Sequence, residues 1–283
     1  MSSHAIAREP NPSKTIRRII LAQSKRANVG HIGSCLCVVE ILEALYGHVM
    51  KTAALDDPDR DRFILSKGHA ALALYAILAL NKHIAELDLN TFCGDDSIFG
   101  IHPEKIVPGV DFSTGSLGHG LSIAAGAALA AHMQKSERRV YCLISDGECN
   151  EGSVWEAAMF AAQHRLSNLH VIVDVNGQQA LGLTRDVLEA SNLAERWASF
   201  GWRVSQADGH SIPELIDVLT ANSASAAPHV VIAKTVFGRG VSYMEEGRPI
   251  TQAHLPVQAI NWHYLPMSDQ EYEIALAELE TAG

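Results

Sequence analysis

The chain has 283 residues, 47% hydrophobic and 19% charged, with a formal net charge of −10. That is enough apolar material for a substantial core, and the acidic balance, with no basic patch longer than Lys14–Arg18, argues against nucleic acid as a partner. Five scattered cysteines (Cys35, Cys37, Cys93, Cys142, Cys149) lack zinc-ligand spacing and read as reduced thiols of a cytoplasmic protein, and neither a signal peptide nor a run approaching membrane-span length is expected.

Residues 1–12, with Pro10 and Pro12, read as a loose arm. Ser13 then opens an amphipathic helix with Ile16, Ile19, Ile20 and Gln23 at helical spacing, ending near Asn28–Gly30. Val38–Met50 reads as a second helix, and Phe63–Leu65 as a short strand after the charged turn Asp56–Arg62. Ala70–Leu80 and Leu121–Met133 are helices of small and apolar residues, suited to close packing and to subunit contact. From Val140 the pattern alternates: strand Val140–Ile144, helix Ser153–His164, strand Leu169–Val175, helix Ala190–Phe200, strand Trp202–Gln206, helix Ile212–Ala221, strand Pro228–Lys234. A short linker, Ser223–Ala227, precedes the last strand, and an acidic amphipathic helix, Ser268–Glu280, closes the chain. Alternating strands and helices predict one doubly wound α/β domain over 1–283, with a mainly parallel sheet and helices on both faces.

In such sheets ligands sit beyond the carboxyl ends of the strands. Asp146 follows one strand and Asn176 the next, so neighbouring strands would bring both into one crevice. A carboxylate and an amide oxygen suit a hard cation such as Mg²⁺, with Ca²⁺ or Mn²⁺ as alternatives, and leave positions open for a phosphorylated ligand. Gly147 permits close backbone approach, and the helix from Ser153 offers its positive end. The competing reading is that Asp and Asn after strands simply cap turns and helices.

Asp146-Gly147, a helix and then Asp174-Val175-Asn176 resemble the signature of thiamine-diphosphate enzymes, which usually begins with Gly where this chain has Ser145. Gly30-His31-Ile-Gly33, Ser66-Lys-Gly-His69, His102-Pro-Glu104, Thr114-Gly-Ser-Leu-Gly-His-Gly120, Lys234-Thr-Val-Phe-Gly-Arg-Gly240 and Asn261-Trp-His263 follow in the order of transketolases. The resemblance runs from about Thr15 to Glu280 and is to the N-terminal subunits of split transketolases. It implies thiamine diphosphate as cofactor and metal ligands at Asp146, Asn176 and the Gln178 carbonyl. It places Gly147 and Glu148 at the diphosphate, and Gly115, Ser116 and Leu117 beside the cofactor rings. His69 and His263 match histidines near the diphosphate and the reacting centre, and His31 and His102 those that contact the sugars. Glu151 matches an acid linking paired active sites, and Glu156 a buried supporting acid. All of these positions are counted in this chain.

Imidazoles suit this chemistry because a ketose must lose a hydroxyl proton and an aldehyde must gain one, while the cofactor stabilises the carbanion. His254 competes with His263 for its role, and His119 and His210 stay outside the site. The glutamate that activates the aminopyrimidine belongs to the family's pyrimidine-binding half, which is expected on a partner subunit in an α₂β₂ assembly; alone, the chain should be inactive on its sugar or sugar-phosphate substrates. The alternatives are the alpha subunit of a 2-oxo-acid dehydrogenase or a non-catalytic regulatory homologue. A nicotinamide-binding protein is disfavoured, since no Gly-x-Gly-x-x-Gly follows a first strand.

Overall fold

In the computed structural model, which describes residues 11–52, 54–188, 192–221, 225–245 and 261–281, the first helix begins just before Ser13. This is α1 (Pro12–Ala27), with proline in its first turn and Asn11 as cap, its side chain accepting from the Lys14 N–H at 3.0 Å. Asn28 ends it in the left-handed conformation, after Lys25 and Arg26 in the last turn. The second expected helix begins earlier and is broken into α2 (Ile32–Leu36), α3 (Val39–Ala44) and a π-helical turn, Leu45–Val49. Contrary to expectation, the stretch Ile32–Val49 is long and apolar enough to cross a membrane; most of it is buried inside this fold, which accounts for its apolarity.

Strand β1 (Arg62–Leu65) leads into α4 (Ala71–Leu80). Residues 71–79 are all buried, so α4 is a core helix and not the subunit-contact element expected from its composition. Next come α5 (His119–Met133), β2 (Val140–Ser145), α6 (Gly152–Gln163) and β3 (Leu169–Val175). A small hairpin, β4 (Gln178–Gln179) and β5 (Gly182–Leu183), precedes α7 (Thr184–Val187) and α8 (Leu193–Ser199). The chain continues with β6 (Arg203–Asp208), α9 (Ile212–Thr220), β7 (His229–Lys234), α10 (Ser242–Glu245) and α11 (Asp269–Thr281). Arm residues 1–10, the start of the helix expected from Ala190, part of the Ser223–Ala227 linker and the segment holding His254 lie outside the described residues.

The main sheet has the order β1-β2-β3-β7-β6, and every pairing is parallel. Side chains alternate across it, giving two cores. Tyr141, Leu143 and Ile172 pack with α1 to α4, α9 and α11; Val140, Cys142, Ile144, Val171 and Val173 pack with α5, α6 and α8. Burial on both faces explains why these strands read as unbroken apolar runs. The register sets Ser145 of β2 beside Asp174 of β3, so the turns after β1, β2 and β3 open on one edge.

The segment Asn261–Tyr264 folds back onto that edge. The His31 N–H donates to the His263 carbonyl at 2.9 Å. This approach requires glycine at position 30, where a Cβ would lie 2.5 Å from the carbonyl carbon of Tyr264. Gly30→Ala should therefore displace the segment and lower unfolding free energy by about 1–3 kcal/mol, measured by urea titration.

Candidate active site

Lys67 and Asp174 lie on β1's turn and on β3, with β2 between those strands, yet Lys67 Nζ stands 2.5 Å from Asp174 Oδ2, both side chains fully buried. The same carboxylate oxygen accepts from the Cys37 thiol at 3.2 Å and from the Asn176 amide nitrogen at 2.9 Å, while the Thr235 hydroxyl donates to its other oxygen. Burial alone would raise the Asp174 pKa, but Lys67 outweighs it and holds the group below its ordinary value. Burial would likewise lower Lys67, and Asp174 reverses that. With its nitrogen pinned, Asn176 turns its oxygen the other way, where it accepts from the Gln178 N–H at 2.9 Å.

Asp146 is the opposite case. Its side chain accepts from Gly147 N at 2.8 Å, from Gly177 N at 3.1 Å and from the Thr184 hydroxyl at 2.9 Å. It is 1% exposed and, among the described residues, forms no ion pair. Burial, and then the charge of Asp174, push its pKa up to about 6. A buried, hydrogen-bonded carboxylate without a countercharge fits a bound cation. Its bond to Gly177 places it against the residue between Asn176 and Gln178, so one carboxylate and neutral oxygens share a small volume. Among the described residues no cluster of three or more His, Cys, Asp or Glu is placed to hold a metal ion.

A cavity of about 540 Å³ opens beside this wall, lined by Asn176 and Gln178, by Gly115, Leu117, Gly147 and Glu151, and by His31, His69, His102 and His263. His31 is held in the left-handed region (φ 61°), which swings its ring to 5.4 Å from that of His69. His263 stacks on Phe237 at 4.5 Å, with its Nδ1 3.4 Å from the Ser34 hydroxyl. His31 Nδ1, His263 Nε2 and Gln179 Nε2 are buried with no partner among the described residues, as expected of groups that wait for a ligand. Burial, with His102 and Lys67 adding to it, pushes His31 down to about 4. Burial, then Lys67 and His31, push His263 down to about 3, and His69 is lowered well below the usual range, again chiefly by burial. At neutral pH these three rings are uncharged, each with one donor and one acceptor nitrogen.

The other expected residues divide. Gly115 packs against Gly68, where a Cβ would meet its Cα at 3.0 Å. Ser116 is exposed and does not line the cavity. Glu148 is turned away from it: its carboxylate accepts from Ser66 Oγ at 2.5 Å, Gly118 N at 2.9 Å and Ser145 N at 3.0 Å, tying three turns together. Its own N–H is taken by Ser145 Oγ at 3.2 Å. Glu156, expected to be a buried acid, is exposed, because α6 turns Val154, Ala157, Ala158 and Ala161 inward and leaves Glu156 outside with Met159 and Phe160. Of the two histidines left outside the site, His119 is exposed on α5 and His210 bonds Glu40 at 2.9 Å. Lys67 and Asp174 are the residues that sequence reasoning missed. The available signal was an aspartate inside the apolar strand Leu169–Val175, which demands a buried partner.

Residues 9–263 match the family described as "Transketolase, thiamine diphosphate binding domain". The chain is 41% identical to one subunit of the apulose-4-phosphate transketolase of Actinobacillus succinogenes, covering 95% of this chain and 94% of that protein. It is 35% identical to 6-deoxy-6-sulfo-D-fructose transketolase subunit SqwG of a Clostridium species, covering 96% of each. Human transketolase is 36% identical over 89% of this chain but only 39% of its own length. The crystal structure of Campylobacter jejuni transketolase superposes with a TM-score of 0.82 at 28% identity, covering 95% of this chain and 42% of that one. The chain thus spans about two fifths of these longer transketolases.

Lys67→Met would leave Asp174 buried without its cation and should lower unfolding free energy by about 3–5 kcal/mol in urea, with Asp174→Asn as second substitution recovering part. Asp146 has the opposite sign. Its folded pKa lies above its unfolded one, so the folded state holds the extra proton between pH 4 and about 6 and loses stability as pH rises through that window. Asp146→Asn should therefore stabilise the cation-free chain at pH 8 by up to about 3 kcal/mol relative to its effect at pH 4, read from urea unfolding at both pH values.

Proposed function

The chain belongs to the transketolase family, and from that premise we propose that it is the thiamine-diphosphate-binding subunit of a two-component transketolase, transferring a two-carbon ketol unit from a ketose to an aldose. The observation that carries this reading is the meeting of Asn176 and Gln178, backed by Asp146 on Gly177 N, with four histidines in one cavity at the carboxyl ends of β1, β2 and β3. Both subunit-type relatives are named for ketoses with an anionic end, a phosphate in one and a sulfonate in the other, and we assign this chain a substrate of that class.

Asp146, Asn176 and the Gln178 carbonyl would hold Mg²⁺, and the diphosphate would lie in the cavity beside Gly147. Thiamine diphosphate, when bound, supplies the electron sink for the carbanion. The protein's own part is placement and proton handling. The unpartnered His31 Nδ1 and His263 Nε2 offer hydrogen bonds to substrate hydroxyls. Because burial keeps the rings neutral, each presents one donor and one acceptor nitrogen to the hydroxyls whose protons move as the donor cleaves and the acceptor is joined.

Leu117, Leu181, Leu188 and Tyr264, 38%, 83%, 57% and 59% exposed, line the same cavity and present apolar surface to solvent. We assign them to the contact with a pyrimidine-binding partner subunit, in an α₂β₂ assembly, which brings the acid that activates the cofactor. All five cysteines are free, which suits a reducing compartment, and we place the complex in the cytoplasm.

With Mg²⁺ and thiamine diphosphate, the purified chain should not turn over a ketose phosphate until the partner subunit is added; turnover by the chain alone would refute the two-component reading. In the assembled complex, Asp146→Ala should lower kcat by more than the about 100-fold that changes around a metal's ligands produce. An unchanged rate would remove Asp146 from the metal.

A further inference from the structure

The amino ends of the same strands carry a second group of functional side chains. A cavity of about 170 Å³ is lined there by Arg139, just before β2, His170 of β3 and Arg203 of β6, together with Ser167, Thr220 and Ser225. His229 of β7 pairs in register with both His170 and Arg203. Its Nδ1 is 3.4 Å from His170 Nδ1, and its Nε2 is 3.0 Å from the Ser205 hydroxyl.

The charge balance is unusual for a chain of net charge −10. Among the described residues, neither Arg139 nor Arg203 forms an ion pair, whereas Arg17, Arg18, Arg60 and Arg62 each do. The carboxylate near Arg139 is Asp61, and it is committed to backbone donors, accepting from Arg139 N at 2.7 Å and Lys51 N at 2.9 Å. The carboxyl end of α9 also reaches the cavity at Thr220 and contributes roughly half a negative charge, so that with Asp61 about one and a half negative charges stand against two full guanidinium charges. Burial, then His229, and after them both guanidiniums disfavour protonation of His170. The cavity therefore presents donors and net positive charge, with hydroxyls around them. A guanidinium is matched to a tetrahedral oxyanion, to which its fork can give two parallel hydrogen bonds, and Arg139 and Arg203 both line this cavity.

We propose that this cavity is a second anion site, built for the phosphate group of a small metabolite and separate from the cofactor cavity at the opposite end of the strands. It stands independently of the transketolase reading, since none of its residues touches that cavity.

The test titrates the purified chain with inorganic phosphate and, separately, with glycerol phosphate, at constant ionic strength. Binding is followed by calorimetry and by the ring resonances of His170 and His229, which locate the ligand. Saturable binding should shift those two rings and not His31 or His263. Arg139→Ala and Arg203→Ala should each weaken it at least about tenfold, as loss of a charge-assisted fork does. Arg203→Lys, which keeps the charge and loses the fork, should fall between. Tighter binding of glycerol phosphate than of phosphate would identify a phosphorylated metabolite as the ligand, and equal affinity the phosphate group alone; both support the site. No saturable shift of the His170 and His229 rings, or affinity unchanged in folded Arg139→Ala and Arg203→Ala chains, would overturn it.

Discussion

The buried pair Lys67–Asp174 is the interaction on which the site's arrangement depends. Two ions withdrawn from water lose several kcal/mol of hydration each, and only close geometry with further hydrogen bonds makes that tolerable. Here Thr235, Cys37 and Asn176 complete the carboxylate's shell. The result is a fixed strut from the turn after β1, past β2, to β3. Asn176 is oriented by it directly, and His69 is carried two residues beyond Lys67. The field of Lys67 also reaches His31, His69 and His263, adding to the burial that keeps them neutral. One pair thus orients the Asn176 amide and adds to the burial that keeps three imidazoles neutral.

Asp146 and Asp174 show how neighbouring carboxylates on adjacent strands are made different. They are joined through the backbone, Asp146 N–H to the Asp174 carbonyl at 3.0 Å, and both are buried. Asp174 has a lysine and sits below its ordinary pKa; Asp146 has only neutral donors and sits above it. The first is internally neutralised and structural. The second carries an unmet charge, and the repulsion from Asp174 makes a divalent ion at Asp146 more favourable still. Glu148, buried two residues later, takes a third course: hydroxyl and amide donors absorb its carboxylate, and it braces the turns instead of facing the ligand.

Much of this was legible in the sequence, for identifiable reasons. The alternation from Val140 onward gives the strands almost to the residue, because β2 and β3 are buried on both faces and read as apolar runs. The spacing of Asp146 and Asn176 reports adjacency, since one strand–helix–strand turn separates them. Composition alone misleads where burial is decided by tertiary packing: α4 and α5 look alike in sequence, yet α4 is enclosed on every side while α5 leaves Ser122, Gly126 and Met133 exposed. The strut was invisible because Lys67 and Asp174 are 107 residues apart and nothing local specifies their pairing. The His31 conformation is equally nonlocal, being imposed where Asn261–Tyr264 closes over Gly30.

The cavity's two walls differ in kind, and that difference bears on how the reaction is organised. The inner wall is finished: its carboxylates and imidazoles have their charge states fixed by burial and by Lys67 within this chain. The outer wall, with Leu181, Leu188 and Tyr264, remains apolar and open to water. A carbanion reaction needs water excluded, and fixed dipoles act more strongly once it is. A partner that covers those side chains would therefore close the site without having to reset its electrostatics. Glu151, at the head of α6, is likewise exposed while lining the cavity.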